Sequence, residues 1–151
     1  MSLDIAKSYQ QTSILTADPL KLILMCYNRA IGNLKQARNA YSAQNYEEKG
    51  KALQKALNII DELNASLDME KGGQIAANLR GIYHYLSHAL INADLKKDMQ
   101  TFDDAIQMLE EIQSAWKIVA EEKTSTAEAK YNLVGTPYRS VELGAAVGAH
   151  I

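Results

Sequence analysis

Ile59–Asp98 reads IIDELNASLDMEKGGQIAANLRGIYHYLSHALINADLKKD, and the reading of this stretch decides the fold. Before its central break, Leu57, Ile60, Leu63 or Asn64, and Leu67 recur every three or four residues; after it, Ile75, Leu79, Ile82, Tyr83, Leu86, Leu90 and Ala93 do the same. Each half is therefore a helix with one apolar stripe. The rhythm fails at Asp68-Met69-Glu70-Lys71-Gly72-Gly73, where two glycines accept backbone angles that a side chain resists. So short a connection makes the two helices antiparallel neighbours.

Working outward toward the N-terminus, Asn45 followed by Glu48 has the spacing of a capping box, which starts the first of these helices at about Tyr46 and lets it run to Leu67. Ile59 lies about 100° off the Ile60 stripe and widens the apolar face on one flank, so it is expected to meet a partner there. Further upstream, Asp18-Pro19 is a start signal: aspartate accepts free first-turn amides and proline has none to satisfy. The helix that follows runs to about Tyr41 with Leu20, Ile23, Leu24, Tyr27, Ile31 and Leu34 on its core stripe. Leu22 and Met25 fall nearly opposite, three residues apart, and are expected to be an exposed apolar pair.

Toward the C-terminus, the helix after the glycines spans about Gln74 to Ala93, and Asp98 caps a fourth that runs to about Glu122. Phe102, Ala105, Ile106, Leu109, Ile112, Trp116 and Ala120 form its stripe; Ile91 and Ile118 are apolar outside their own stripes. After Lys123, Ser125 and Glu128 can cap a short fifth helix reaching Tyr131, before Gly135-Thr136-Pro137 breaks it. The expected architecture is all-α: an antiparallel up-down-up-down four-helix bundle over 18–122, an N-terminal segment 1–17, and an irregular tail 123–151.

Composition narrows the function. A chain of 151 residues, nearly half of them apolar and only two of them proline, builds one helical domain. Its formal net charge of −2, with acids and bases interspersed, gives no basic surface for nucleic acid or anionic lipid. The single cysteine, Cys26, forms no internal disulfide, the N-terminus lacks the pattern of a signal peptide, and no segment approaches the ~20 apolar residues of a membrane helix. A cytoplasmic protein without membrane insertion is expected.

The candidate chemistries are weak. Asp68–Gly73 has too few oxygen ligands for a calcium loop and no Lys-Ser or Lys-Thr ending for a phosphate loop. His84 and His88, four residues apart, have no carboxylate or cysteine companions at metal-binding spacing. No catalytic grouping or cofactor signature is present, so no enzyme activity, metal or cofactor is expected and binding is the default.

The same residues carry a resemblance. Ser66-Leu67-Asp68, Glu70, Gly72-Gly73, Ile75-Ala76, Asn78-Leu79 and Tyr83 resemble the pattern of the FliS family, the flagellar export chaperones that hold flagellin before secretion. Leu20–Ile31 (LKLILMCYNRAI) is similar to that family's first-helix signature, with Cys26 where leucine is usual, Asn28 where aspartate is usual and Arg29 where glycine is usual. Together with Tyr9-Gln10, the match covers roughly the first 120 residues in the same order.

The resemblance implies a cytoplasmic chaperone that receives the C-terminal helical segment of flagellin, prevents its premature polymerisation and delivers it to the export apparatus. It implies that residues 1–17 form a lid over the bundle, with Tyr9 at the family's characteristic tyrosine position; Ile5, one of the few sizeable apolar groups of this segment, is expected to be a lid residue beside it. It also implies the export gate and, as in some relatives, an anti-sigma regulator as further partners of a monomer or weak homodimer. On this reading Leu22, Met25 and Ile59, chosen by helical geometry, face the flagellin segment. Tyr27 is shared between the family motif and the core stripe, so both contact and packing are open to it. Two other classes compete: a histidine phosphotransfer bundle using His84 or His88, and a self-associating structural bundle using the apolar tail.

Overall fold

The structure, a computed structural model, describes residues 19–128, with side chains to residue 122. The expected lid, with Ile5 and Tyr9, and the tail from residue 129 lie outside the described residues. Four helices follow one another: α1 Pro19–Ser42, α2 Tyr46–Ala65, α3 Met69–Lys96 and α4 Met99–Glu128. Each packs on its neighbour in sequence, and α4 closes the ring by packing on α1. This is the up-down-up-down bundle that the short connections require.

The helix ends follow from local chemistry. The Glu48 amide donates to Asn45 Oδ1 at 3.2 Å, so Asn45 caps α2 as its spacing predicts. Asp68 Oδ1 accepts from the Glu70 and Lys71 amides at 3.1 and 2.9 Å, and Asp98 Oδ1 accepts from the Thr101 amide at 3.3 Å. At the end of α1, Gln44 is left-handed at φ 60° while the Asn45 amide reaches back to the Ala40 carbonyl at 2.8 Å. Lys97, at φ 58°, ends α3 in the same way, with the Asp98 amide on the Ala93 carbonyl at 2.8 Å. Both are six-to-one closures that satisfy carbonyls the helix leaves free.

Two boundaries correct the sequence reading. Residues Met69–Gly72 form a first helical turn of α3 under the Asp68 cap; the break sits only at Gly73, at φ 52° and ψ −130°. At the other end, α4 does not stop at Glu122, and residues 123–128 continue it as one helix where a fifth was expected to open.

The core is one continuous cluster with contributions from every helix. Trp116, Tyr27, Tyr83 and Phe102 are its largest fully buried side chains, joined by Leu20, Leu34, Ile59, Ile60, Leu86, Leu90 and Leu109. The α1–α2 contact is the most extensive in the bundle. Ala30, Ala37 and Ala40 on α1 and Ala52 and Ala56 on α2 are all buried, and such small side chains let two helix backbones approach closely. Polar links tie the ring from outside: Arg38 to Asp103 through two hydrogen bonds, Lys35 to Glu110 at 3.2 Å, Gln36 to Glu48 at 2.8 Å, and Lys49 to Asp94 at 2.5 Å. Solvent-exposed pairs such as Lys35–Glu110 contribute up to about 1 kcal/mol each, and Lys49–Asp94 is the more shielded of the set, so burial of the apolar core dominates.

Candidate partner-binding surface

The core stripes are filled inward, so any binding site is built from what the helices leave outside. Ile59 is not part of it. Glu48, Ala52, Ile59 and Glu62 lie on one flank of α2, and that flank is turned to α1: Glu48 accepts from Gln36, and Glu62 acts electrostatically on Cys26. The close α1–α2 packing therefore closes over Ile59, which is 2% exposed. The expectation that it faces a partner is corrected: its off-stripe position widens the core.

Of the two roles open to Tyr27, the structure places it in packing and not in partner contact, because it is fully buried. Its hydroxyl meets that of Tyr83 at 2.6 Å across the diagonal of the bundle, from α1 to α3. Burial pushes the Tyr27 phenol up to about 12, with the Tyr83 hydrogen bond pulling slightly back, and burial raises Tyr83 as well. The Trp116 indole N–H approaches the same hydroxyl without reaching hydrogen-bond geometry. This aromatic trio is the polar centre of the core, and it is structural. Cys26 is buried beside it in sequence, and desolvation followed by Glu62 raises its thiol to about 11, so it stays a protonated, unreactive group.

Leu22 and Met25 are half-buried where full exposure was expected. Leu22 stands one turn before buried Cys26 on α1. Of the other departures from the family signature, Asn28 accepts a hydrogen bond from the buried Gln113 of α4, and Arg29 is exposed beside it. Gln113 escaped the sequence reading because it interrupts an apolar stripe.

The largest exposed apolar side chains are Leu95, Tyr85, Tyr46, Ile118, Ile91 and Met69. Ile91 and Ile118 were expected outside the core, and both are. Ile118 stands among Lys117, Ser114 and Glu121, the ordinary setting of an isolated surface hydrophobe. Ile91 has different company. Gly81, His84, Tyr85, His88, Ile91, Asn92 and Leu95 are all exposed and fall within an arc of about 120° on the outer side of α3. The sequence carried the signal, since residues 81–93 (GIYHYLSHALINA) contain no Asp, Glu, Lys or Arg.

His84 Nε2 lies 3.3 Å from the Asn64 amide nitrogen, and His88 is exposed. Among the described residues, no three His, Cys, Asp or Glu side chains are grouped to hold a metal, and no helix is long and apolar enough to cross a membrane. Among the described residues, apolar side chains that a partner could contact include those of α1 around Leu22 and Met25 and those on the outer side of α3.

Comparison with known proteins agrees with the resemblance read from the residues. The family described as Flagellar protein FliS matches residues 2–123. The flagellar secretion chaperone FliS of Salmonella typhimurium is 40% identical over 119 residues, covering 76% of this chain and 88% of that protein. The flagellar secretion chaperone FliSB of Pseudomonas aeruginosa is 36% identical, covering 73% of this chain and 90% of its own. FliS of Bacillus subtilis, at 33% identity, covers 73% and 81%.

Proposed function

The chain belongs to the FliS family of flagellar secretion chaperones, and from that premise we propose that it binds the C-terminal helical segment of flagellin in the cytoplasm, prevents premature polymerisation and delivers it to the export apparatus. It is an export chaperone and not an enzyme. The observation that carries the reading is the family match across the whole bundle, over residues 2–123.

A flagellin segment that assembles through helices in the filament has apolar faces to hide while it is alone. A rigid bundle hides them by helix-in-groove contact, in which half-buried side chains such as Leu22 and Met25 line a seam that apolar anchors can enter. Ordering the segment costs several kcal/mol, so affinity accumulates over many modest contacts along a long path. Such a complex comes apart piece by piece, which suits hand-over at an export gate. Ile5 and Tyr9 are assigned to a lid that occupies client surface until the client arrives.

Replacing Leu22 and Met25 by aspartate tests the site. Each buried apolar contact contributes about 1.5–3 kcal/mol, so L22D/M25D weakens flagellin-peptide binding by roughly a hundredfold or more while the helical circular dichroism persists. Unchanged affinity in the folded variant would remove both residues from the site.

A further inference from the structure

The outer side of α3 differs from the other helix surfaces of the described bundle. The exposed residues of α1 include Lys21, Arg29 and Lys35, those of α2 Lys51, Lys55 and Asp61, and those of α4 Glu110, Glu111 and Glu121. Between Gly81 and Ala93, α3 has no formal charge, and on this side Tyr85 is 59%, Ile91 49% and Leu95 78% exposed. Tyr85 to Leu95 is a strip about 15 Å long.

The chain itself supplies a segment of matching character and length. Residues 129–151 lie beyond the family match, which ends at 123. The last twelve, SVELGAAVGAHI, carry one charged residue, Glu142, and place Leu143, Val147 and Ile151 at every fourth position. As a helix they would rise about 18 Å with these three side chains on one side, close to the length of the exposed strip.

The point of attachment also fits. The tight turn at Lys97-Asp98 makes α3 and α4 antiparallel, so α4 ends at Glu128 beside the start of α3. From there to the level of Tyr85 is about 27 Å along the bundle, and residues 129–139, with Gly135 and Pro137 among them, span up to about 36 Å when extended. The N-terminal segment is the poorer occupant. It joins α1, which stands diagonal to α3, and it carries Asp4, Lys7 and Asp18.

We propose that residues 140–151 pack as a short amphipathic helix on the outer side of α3 of their own chain, setting Leu143, Val147 and Ile151 against Tyr85, Ile91 and Leu95. The proposal stands apart from the flagellin reading, since it concerns two parts of one molecule. It gives this chain an internal ligand that its family match does not include.

The test uses the full chain with a benzophenone amino acid in place of Tyr85, irradiated and mapped by mass spectrometry. The expected product is a cross-link within one chain to a residue of 140–151. In L143D/V147D, whose changes lie outside the bundle, its yield falls by about tenfold or more, as the loss of two apolar anchors requires. A cross-link to residues 1–18, a product that joins two chains, or no cross-link to 140–151 would each overturn the proposal. So would an unchanged yield in L143D/V147D.

Discussion

At the scale of single residues, the Tyr27–Tyr83 pair is the most exacting contact in the bundle, a neutral hydrogen bond between two side chains that the fold buries from solvent. Removing one hydroxyl leaves the other unsatisfied at a cost of about 1–3 kcal/mol, whereas removing both leaves none. Y27F and Y83F should each destabilise the protein to urea, and Y27F/Y83F should lose less than the sum of the two. Additive losses would show that the hydroxyls do not act together. The pair also sets an alkaline limit. Both phenols titrate above the ordinary tyrosine value when folded, Tyr27 at about 12, so their contribution is complete below about pH 10 and is lost as pH rises from there through 12. The double phenylalanine variant should show a shallower fall in stability across that window.

Ile59 and Ile118 make the complementary pair of tests, because both are apolar off their own stripes and the structure buries only Ile59. Ile59 sits off its stripe yet is covered by α1, so I59D places a charge in the core and should unfold the protein or cost several kcal/mol. Ile118 is 54% exposed among polar neighbours, so I118D should change the urea midpoint little, within about 0.5 kcal/mol. Equal effects from the two changes would contradict the packing described. The periodicity of α2 gives the centre of its buried face, but its width depends on how closely α1 approaches. That approach is set by alanines on both helices, which hydrophobic spacing does not weigh.

At the scale of elements, α3 contains two glycines whose substitutions should have opposite signs. Gly73 holds φ 52° and ψ −130°, and no atom crowds a Cβ there, so the objection to alanine is backbone conformation alone. G73A should cost about 1–3 kcal/mol. Gly81 is helical, exposed and equally uncrowded, so G81A should stabilise by up to about 1 kcal/mol. Thermal or urea unfolding of the two variants reads both signs, and stabilisation by G73A would show that the kink is not rigidly held. The caps at Asn45, Asp68 and Asp98 were legible because each is a local exchange between one side chain and the amides just after it. The first turn of α3 was hidden by its own glycines, since Gly72 is helical and only Gly73 breaks the helix.

For the whole molecule, ring closure was legible from the short connections and four apolar stripes, and the interior accordingly matches expectation at nearly every stripe position. The exterior was harder to read. Leu22 and Met25 were found by being opposite a stripe, and proved half-buried. Leu95 lies beside Lys96-Lys97, and Tyr85 lies between histidines and leucines, so neither stood out until α3 was seen from outside. A chaperone that works through such surfaces should bind with a negative heat-capacity change and modest salt dependence, as apolar burial without paired charges requires.

The most direct measurement is a calorimetric titration of the full chain with a peptide from the C-terminal region of its own organism's flagellin, with circular dichroism on the same mixture. Saturable one-to-one binding, with more helix than the two components have apart, is the predicted result. Absence of binding by the folded protein, both with the native tail and in L143D/V147D, would contradict the flagellin assignment.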